Sequence, residues 1–254
     1  MGYSARMCGR YILAETQNFE RAAGLSHIRW SFELSYNVAP TQPVPVVRSR
    51  AGRREGLMLR WGLIPYMARG VAPQYSTINA TIERLETGAA WRGPWRRGQR
   101  CIQLCAGFYE WHLTDAGRKQ PFFIHLADHE VFGFAGIWDR SVSENGAPIE
   151  SCATITMPAN ELMREIHNTG AHPYRMPAIL APRDFEAWLE ADTEDARALL
   201  RPYPAEFMVA HAVSTSVNSP QNNGPELIEP IPLEADRPEP APETLDLFAS
   251  AGIE

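Results

Sequence analysis

The stretch Arg100-Cys-Ile-Gln-Leu-Cys-Ala-Gly-Phe-Tyr-Glu-Trp111 decides the fold class. It is apolar and aromatic, rich in β-favouring residues, and carries no polar stripe at helical spacing, so it reads as buried strand. Outward toward the C-terminus, Pro121 to Leu126, Val131 to Trp138 and Ser151 to Thr156 repeat the pattern, with a turn at Asp115-Ala-Gly117. Outward toward the N-terminus, Cys8 to Leu13, Val44 to Arg48 and Leu57 to Trp61 do the same, with Tyr36 to Thr41 as a proline-punctuated loop. Helical signals are fewer. Glu15 to Gly24 closes on glycine, and Asn160 to Ile166, Pro182 to Ala191 and Thr193 to Leu200 follow. Ile78 to Glu86 begins extended and turns helical, Ala178 to Leu180 is a short strand, and Glu206 to Val213 is a last strand. Many short strands with scattered helices predict an α+β fold around an antiparallel, partly barrel-like sheet.

The chain has 254 residues, 44% of them hydrophobic, enough to bury a sizeable core. No apolar run approaches the ~18 residues of a membrane span, and the first residues lack a signal-peptide core, which predicts a soluble, cytoplasmic protein. Cys8, Cys101, Cys105 and Cys152 do not fall into a metal-binding pattern, so no metal and no cofactor is expected. The last three read as buried free thiols.

The net charge of −6 is unevenly spread. Residues 232–254 hold six acids against Arg237 and, with their proline and alanine, read as a disordered acidic tail. Between Arg48 and Arg100 stand eleven arginines against Glu55, Glu83 and Glu86. Lys119 is the only lysine. Guanidinium forks suit phosphate oxygens, but a solvated surface from biased composition accounts for the arginines equally well.

The N-terminus reads Met1-Gly-Tyr-Ser-Ala-Arg-Met7-Cys8-Gly-Arg10-Tyr11. With Met7 as initiator and then removed, Cys8 carries a free α-amine beside its thiol. Reference pKa values of about 7.7–8.0 and 8.5 leave useful fractions of free amine and thiolate near neutrality. Such a 1,2-aminothiol traps an aldehyde: the amine condenses to an imine and the sulfur closes a thiazolidine. Read without that start, Cys8 is a buried strand cysteine.

Further segments follow in register: Tyr36-Asn37-Val-Ala-Pro40-Thr41, Arg60-Trp61-Gly-Leu-Ile-Pro65, Ile78-Asn79-Ala80, Gly107-Phe-Tyr-Glu110-Trp111, Ile166-His167 with Arg175-Met-Pro-Ala-Ile-Leu180, and Val213-Ser214 through Gly224-Pro-Glu-Leu-Ile228. This order resembles the SRAP family, SOS-response-associated peptidase-like proteins that cross-link covalently to abasic sites in single-stranded DNA. The resemblance spans residues 7–231 and implies a catalytic domain over 8–231 preceded by an extension, 1–7, that is absent or removed. It implies that Cys8 forms the thiazolidine, that Asn79 positions it, that Glu110 transfers protons near the sugar, and that the histidine before Arg-Met-Pro assists ring opening, strand incision or reversal. Arg10, Asn37, Pro40, Trp61 and Arg175 would belong to the DNA channel, acting as a monomer at the nucleoid. Read alone, Glu110 is a buried paired acid, Asn79 a turn or cap residue, and Trp61 core.

Three positions depart from the family pattern. Thr81 stands where an arginine is usual, with Arg84 as its substitute from the next turn. The stretch His167-Asn-Thr-Gly-Ala-His172-Pro-Tyr-Arg175 is long and offers two histidines, of which His167 keeps the Ile-His pair. Residues 1–7 leave Cys8 an amide nitrogen unless Met7 is the true start or a leader is removed. Without a free amine, the chain is a non-covalent single-strand binder. A cysteine peptidase with Cys8 as nucleophile, which needs no amine and could cleave its own leader, is the rival class. In the tail, Thr244-Leu245-Asp246-Leu247-Phe248 resembles the Leu-x-Leu-Phe peptides by which bacterial repair proteins dock on the replication sliding clamp; an incidental amphipathic end is the plainer reading.

Overall fold

A computed structural model describes residues 9–25 and 27–233, and it alternates short strands with shorter helices. The strands are β1 Arg10–Leu13, β2 His27–Arg29, β3 Ser35–Val38, β4 Pro43–Arg50, β5 Arg53–Trp61, β6 Asn79–Thr81 and β7 Arg100–Cys105. They continue as β8 Gly107–Leu113, β9 Lys119–Leu126, β10 Phe132–Val142, β11 Pro148–Pro158, β12 Arg175–Pro177, β13 Ile179–Leu180 and β14 Met208–Ala212. The α-helices are α1 Thr16–Ala23, α2 Arg92–Arg96, α3 Glu161–Ile166, α4 Phe185–Glu190 and α5 Thr193–Leu199. Cys8, residues 1–7 and the tail segment with Leu245, Leu247 and Phe248 lie outside the described residues.

Two sheets carry the strands. One runs β14-β9-β8-β1-β3; the other runs β12-β11-β10-β7-β4-β5-β2, with β6 added on β11 and β13 on β10. In the larger sheet β11 also pairs with β5, Ser151 opposite Arg60 and Cys152 opposite Trp61. That pairing closes the ring β5-β4-β7-β10-β11 into a barrel, and the closing ladder is parallel while the other ring ladders are antiparallel. The fold is α+β, as the strand pattern predicts.

The stretch 100–111 proves to be two strands that belong to different sheets. β7 pairs with β4 and β10 in the barrel; after Ala106, whose amide donates to Ile12 O at 3.1 Å, β8 joins β1 and β9. Gly107 permits the crossing, because a Cβ there would overlap the Phe123 ring and lie 3.0 Å from Ile124 O. Tyr36 to Val38 is strand rather than loop: β1 has a free edge, Tyr11 pairs with Val38, and Tyr109 Oη donates to Tyr36 O at 2.8 Å.

One continuous core fills the barrel and the space under α1 and α4, where Phe19, Phe185 and Trp188 are buried. A smaller cluster of Ile12, Tyr109, Phe123, Val213, Val217 and Leu227 seats the C-terminal segment on the five-stranded sheet. Cys101, Cys105 and Cys152 are buried free thiols; burial pushes all three up, Cys101 to about 12, so none is a thiolate near neutrality. Several arginines of the basic stretch are structural. Arg48 is buried against Glu55 (2.6 Å) and Glu150 (2.9 Å) and lies over the Trp138 ring. Arg54 pairs with Glu186, Arg97 with Asp139, and Arg100 donates to Trp188 O and Ala191 O.

Candidate functional site

At the C-terminal end of β11, Thr156 pairs with both Thr81 and Pro177, so β6 and β12 flank β11 on its two edges. β6 brings in Asn79, opposite Thr154; β12 brings in Arg175, opposite Pro158. Helix α3, capped by Asn160 Oδ1 on the Met163 amide (2.9 Å), delivers His167 at its C-terminus. Residues 168–174 then return the chain to β12. Together with the turn after β6 and the segment leading to α2, these elements enclose a cleft of about 970 Å³. Asn79, Thr81, Glu83, Arg84, Trp91, His167, His172 and Arg175 line it.

His167 is 4% exposed, and its Nδ1 accepts the Arg175 backbone N–H at 3.2 Å. A backbone amide can only donate, so Nδ1 holds a lone pair and the proton of the neutral ring sits on Nε2. Burial, seconded by the Arg175 charge, lowers the imidazole to a pKa of about 4. At neutral pH the cleft therefore holds a neutral imidazole with a fixed tautomer. His172, the other candidate, is exposed at the cleft's edge.

Arg175 makes a bidentate pair with Glu83, Nη1–Oε1 at 2.6 Å and Nη2–Oε2 at 2.8 Å, and Nη2 also donates to Thr156 O at 2.9 Å. The Arg175 hydrogen bonds hold the Glu83 carboxyl below the usual carboxylate range. Arg84 is exposed and lines the same cleft.

Glu110 is 1% exposed on β8, on the strand face it shares with Phe108 and His112. Its strand is tied to the end of α3: His112 Nδ1 lies 2.8 Å from Glu165 O, and Leu113 and Asn168 exchange two hydrogen bonds of 2.8 and 3.0 Å. β1 runs antiparallel to β8 with Arg10 opposite Tyr109, which carries Gly9 alongside Glu110. Glu110 is not among the residues lining the cleft.

The remaining candidates are elsewhere. Arg10 Nη1 donates to Asn37 Oδ1 (2.8 Å) and Val217 O (2.9 Å), and Nη2 to Asn218 O (3.2 Å). Asn37 is buried, and its Nδ2 donates to Val217 O, Ser219 O and Asn222 O at 3.3, 2.9 and 2.8 Å. Arg10 and Asn37 thus fasten the C-terminal segment to β1 and β3, and the buried Asn37 amide faces carbonyls rather than a channel. Trp61 is a correction too: 1% exposed, edge-on to Tyr11 and donating Nε1 to Ile78 O at 3.1 Å, it is a core residue with no face for a base. Pro40 lies half-buried beside Thr41, whose φ of 74° and N–H to Trp61 O at 2.8 Å fix the turn into β4.

Sequence reasoning did not single out Tyr75, Ser76 and Glu83. Trp91 had a signal, the aromatic–arginine doublet Trp91-Arg92, and its ring forms part of the cleft wall. Glu83 had only its place as one of three acids in the basic stretch.

Comparison with known proteins accounts for nearly all of this chain. The family model described as SOS response associated peptidase (SRAP) matches residues 7–220. The chain is 37% identical over 230 residues to the abasic site processing protein YoqW of Bacillus subtilis, covering 88% of this chain and 99% of that one. It is 34% identical to the abasic site processing protein HMCES of Gallus gallus, covering 80% and 68%. A solved structure of a protein from Bordetella bronchiseptica superposes with a TM-score of 0.71 at 29% identity, over 82% of this chain and 100% of that one. Fold, motif order and relatives agree, and the chain belongs to the SRAP family.

Proposed function

We propose that this protein processes abasic sites in single-stranded DNA and is joined to them covalently through Cys8 of a chain that begins at that residue. The cleft carries the proposal: it gathers a neutral imidazole of fixed tautomer, an asparagine and two arginines in a chain related along its length to proteins named for abasic site processing.

The chemistry starts from the ring-closed sugar of an abasic site. Opening it needs a proton delivered to the ring oxygen and one taken from the anomeric hydroxyl. Glu110 takes the proton of the anomeric hydroxyl and returns it to the ring oxygen, while the His167 Nε2–H polarises that oxygen by a hydrogen bond and keeps its own proton. The Cys8 amine adds to the freed aldehyde carbon, and loss of water leaves an imine. The Cys8 sulfur then bonds to the imine carbon while the nitrogen takes the thiol proton. The ring closes with one water released and no redox change. Asn79 holds the cysteine, while Arg84 and Arg175 hold phosphates on either side of the lesion. Reversal and strand incision run through the same imine.

The peptidase reading asks His167 to be a base toward Cys8. That role is disfavoured, because Nδ1 is occupied by the Arg175 amide and Nε2 already carries the proton. At the level of the whole chain, the protein works as a monomer at exposed single strands in the nucleoid, held near replication forks by a sliding-clamp contact through Leu245, Leu247 and Phe248. Among the described residues no helix is long and apolar enough to cross a membrane.

The test uses protein expressed to begin at Cys8 after methionine removal, mixed with single-stranded DNA bearing one abasic site. The expected product is a heat-stable adduct on a denaturing gel, absent with Cys8→Ala and absent when residues 1–7 are retained. Peptide hydrolysis without an adduct would establish the peptidase instead. Binding without either would leave a non-covalent binder.

A further inference from the structure

The arginine best placed to hold a phosphate in the cleft is not open to one. Arg175 has its two terminal nitrogens on the two Glu83 oxygens at 2.6 and 2.8 Å, and its backbone lies against His167. A carboxylate and a phosphodiester present the same pair of oxygens to the same guanidinium fork and carry the same charge. Both partners line the cleft, so the competition would take place where the DNA lies. The Glu83 side chain is 52% exposed against 13% for Arg175. The carboxylate therefore has solvent into which it can swing, while the guanidinium stays fixed by Thr156 O.

We propose that Glu83 is a built-in competitor of DNA phosphate, occupying the Arg175 fork in the free protein and leaving it only for a strand seated in the cleft. The proposal rests on the nucleic-acid reading given above. Of the formally charged residues lining the cleft, Glu83 opposes Arg84 and Arg175, so its withdrawal doubles the net positive charge available to the backbone. Thr81, beside it on β6, adds none. The consequence is weaker holding of any strand that relies on phosphate contacts. The competition costs damaged and undamaged strands the same, so what it shortens is residence on undamaged DNA, where no covalent bond follows. Glu83 thus tunes phosphate binding and touches neither the sugar nor the base.

The experiment measures binding of an undamaged single-stranded oligonucleotide as a function of salt for the wild type, Glu83→Gln, Arg175→Gln and the double variant. Glu86→Gln serves as a control for general charge, since Glu86 pairs with Arg197 at 3.3 Å and is absent from the cleft lining. Glu83→Gln is expected to bind roughly three- to tenfold more tightly. Its plot of log affinity against log salt should steepen by about 0.7, the value of one further single-strand phosphate contact. In the Arg175→Gln background the same substitution should tighten binding no more than Glu86→Gln does. Unchanged or weaker binding by Glu83→Gln overturns the proposal and makes Glu83 a support for Arg175. So does a gain that persists without Arg175. A wild type that shows no salt-dependent binding at all defeats the nucleic-acid reading itself, and the competitor with it.

Discussion

At the residue scale, the His167 ring is the group whose state the structure determines most fully. Its pKa lies near 4 in the folded chain and near 6.5 in an unfolded one, the burial of the ring being the main cause. Between those values the unfolded state binds a proton that the native state refuses, so native stability falls as pH drops from 6.5 toward 4 and is fully present above 6.5. Urea unfolding followed across that range should show an acid loss of up to about 3 kcal/mol that His167→Gln largely removes. A loss of the same size in the variant would assign it to other groups. Cross-linking itself should not follow an imidazole titration above pH 5, because the ring is already neutral there. Motif order singles out Asn79, His167 and Arg175, and all three line one cleft. Order does not give the state of each. The tautomer of His167 depends on a backbone amide eight residues away, and the occupant of the Arg175 fork lies 92 residues back along the chain. Trp61 and Asn37 misled for a related reason. Tryptophan and asparagine serve a binding channel and a satisfied interior equally well, and only burial separates the two uses.

At the scale of the elements, β7, β10 and β11 were readable because they are mostly buried and dense in apolar, aromatic and β-branched residues. Buried polar residues such as Gln103 and Thr154 interrupt them without imposing a helical period. β3 and β12 were not readable. Each is short, contains polar residues, and is made a strand by the edge it meets, β1 in one case and β11 in the other. The division of 100–111 between two sheets was likewise hidden, since it depends on Ala106 meeting Ile12 O. The C-terminal segment shows how a tertiary lock replaces local propensity. Residues 214–231 hold only short 3-10 turns, and the Asn37 amide and Arg10 guanidinium grip the carbonyls of Val217, Asn218, Ser219 and Asn222. Asn37→Ala removes the Asn37 donors from Ser219 O and Asn222 O, with Val217 O still held by Arg10, and should cost about 1–3 kcal/mol in chemical unfolding. Amide exchange should accelerate first between 214 and 231, while Asn79 and His167 keep their protection. Uniform acceleration across the chain would mean that Asn37 supports the barrel and not this segment.

At the scale of the whole molecule, the barrel and the five-stranded sheet make up the frame that carries the cleft, and the acidic tail beyond Leu233 falls outside the described residues. The tail's one apolar cluster, Leu245, Leu247 and Phe248, stands among acids and prolines and has nothing in its own composition to bury against. Eleven residues separate it from Leu233, a span of about 20 Å for a flexible chain and longer for a proline-rich one. That reach is compatible with the clamp contact proposed above. Docking on a ring-shaped clamp would turn encounter with a nearby lesion into an intramolecular event at an effective concentration in the millimolar range. Two measurements follow from this division of labour. Cross-linking of a short abasic oligonucleotide in the absence of any clamp should proceed at the same rate for the chain ending at 231 as for the full chain. On a primed template loaded with clamp, the full chain should cross-link faster than either the truncated chain or the Leu247→Ala, Phe248→Ala variant, and clamp should bind the full chain alone. Equal rates on the loaded template, or clamp binding that survives the double substitution, would reduce the cluster to an incidental amphipathic end.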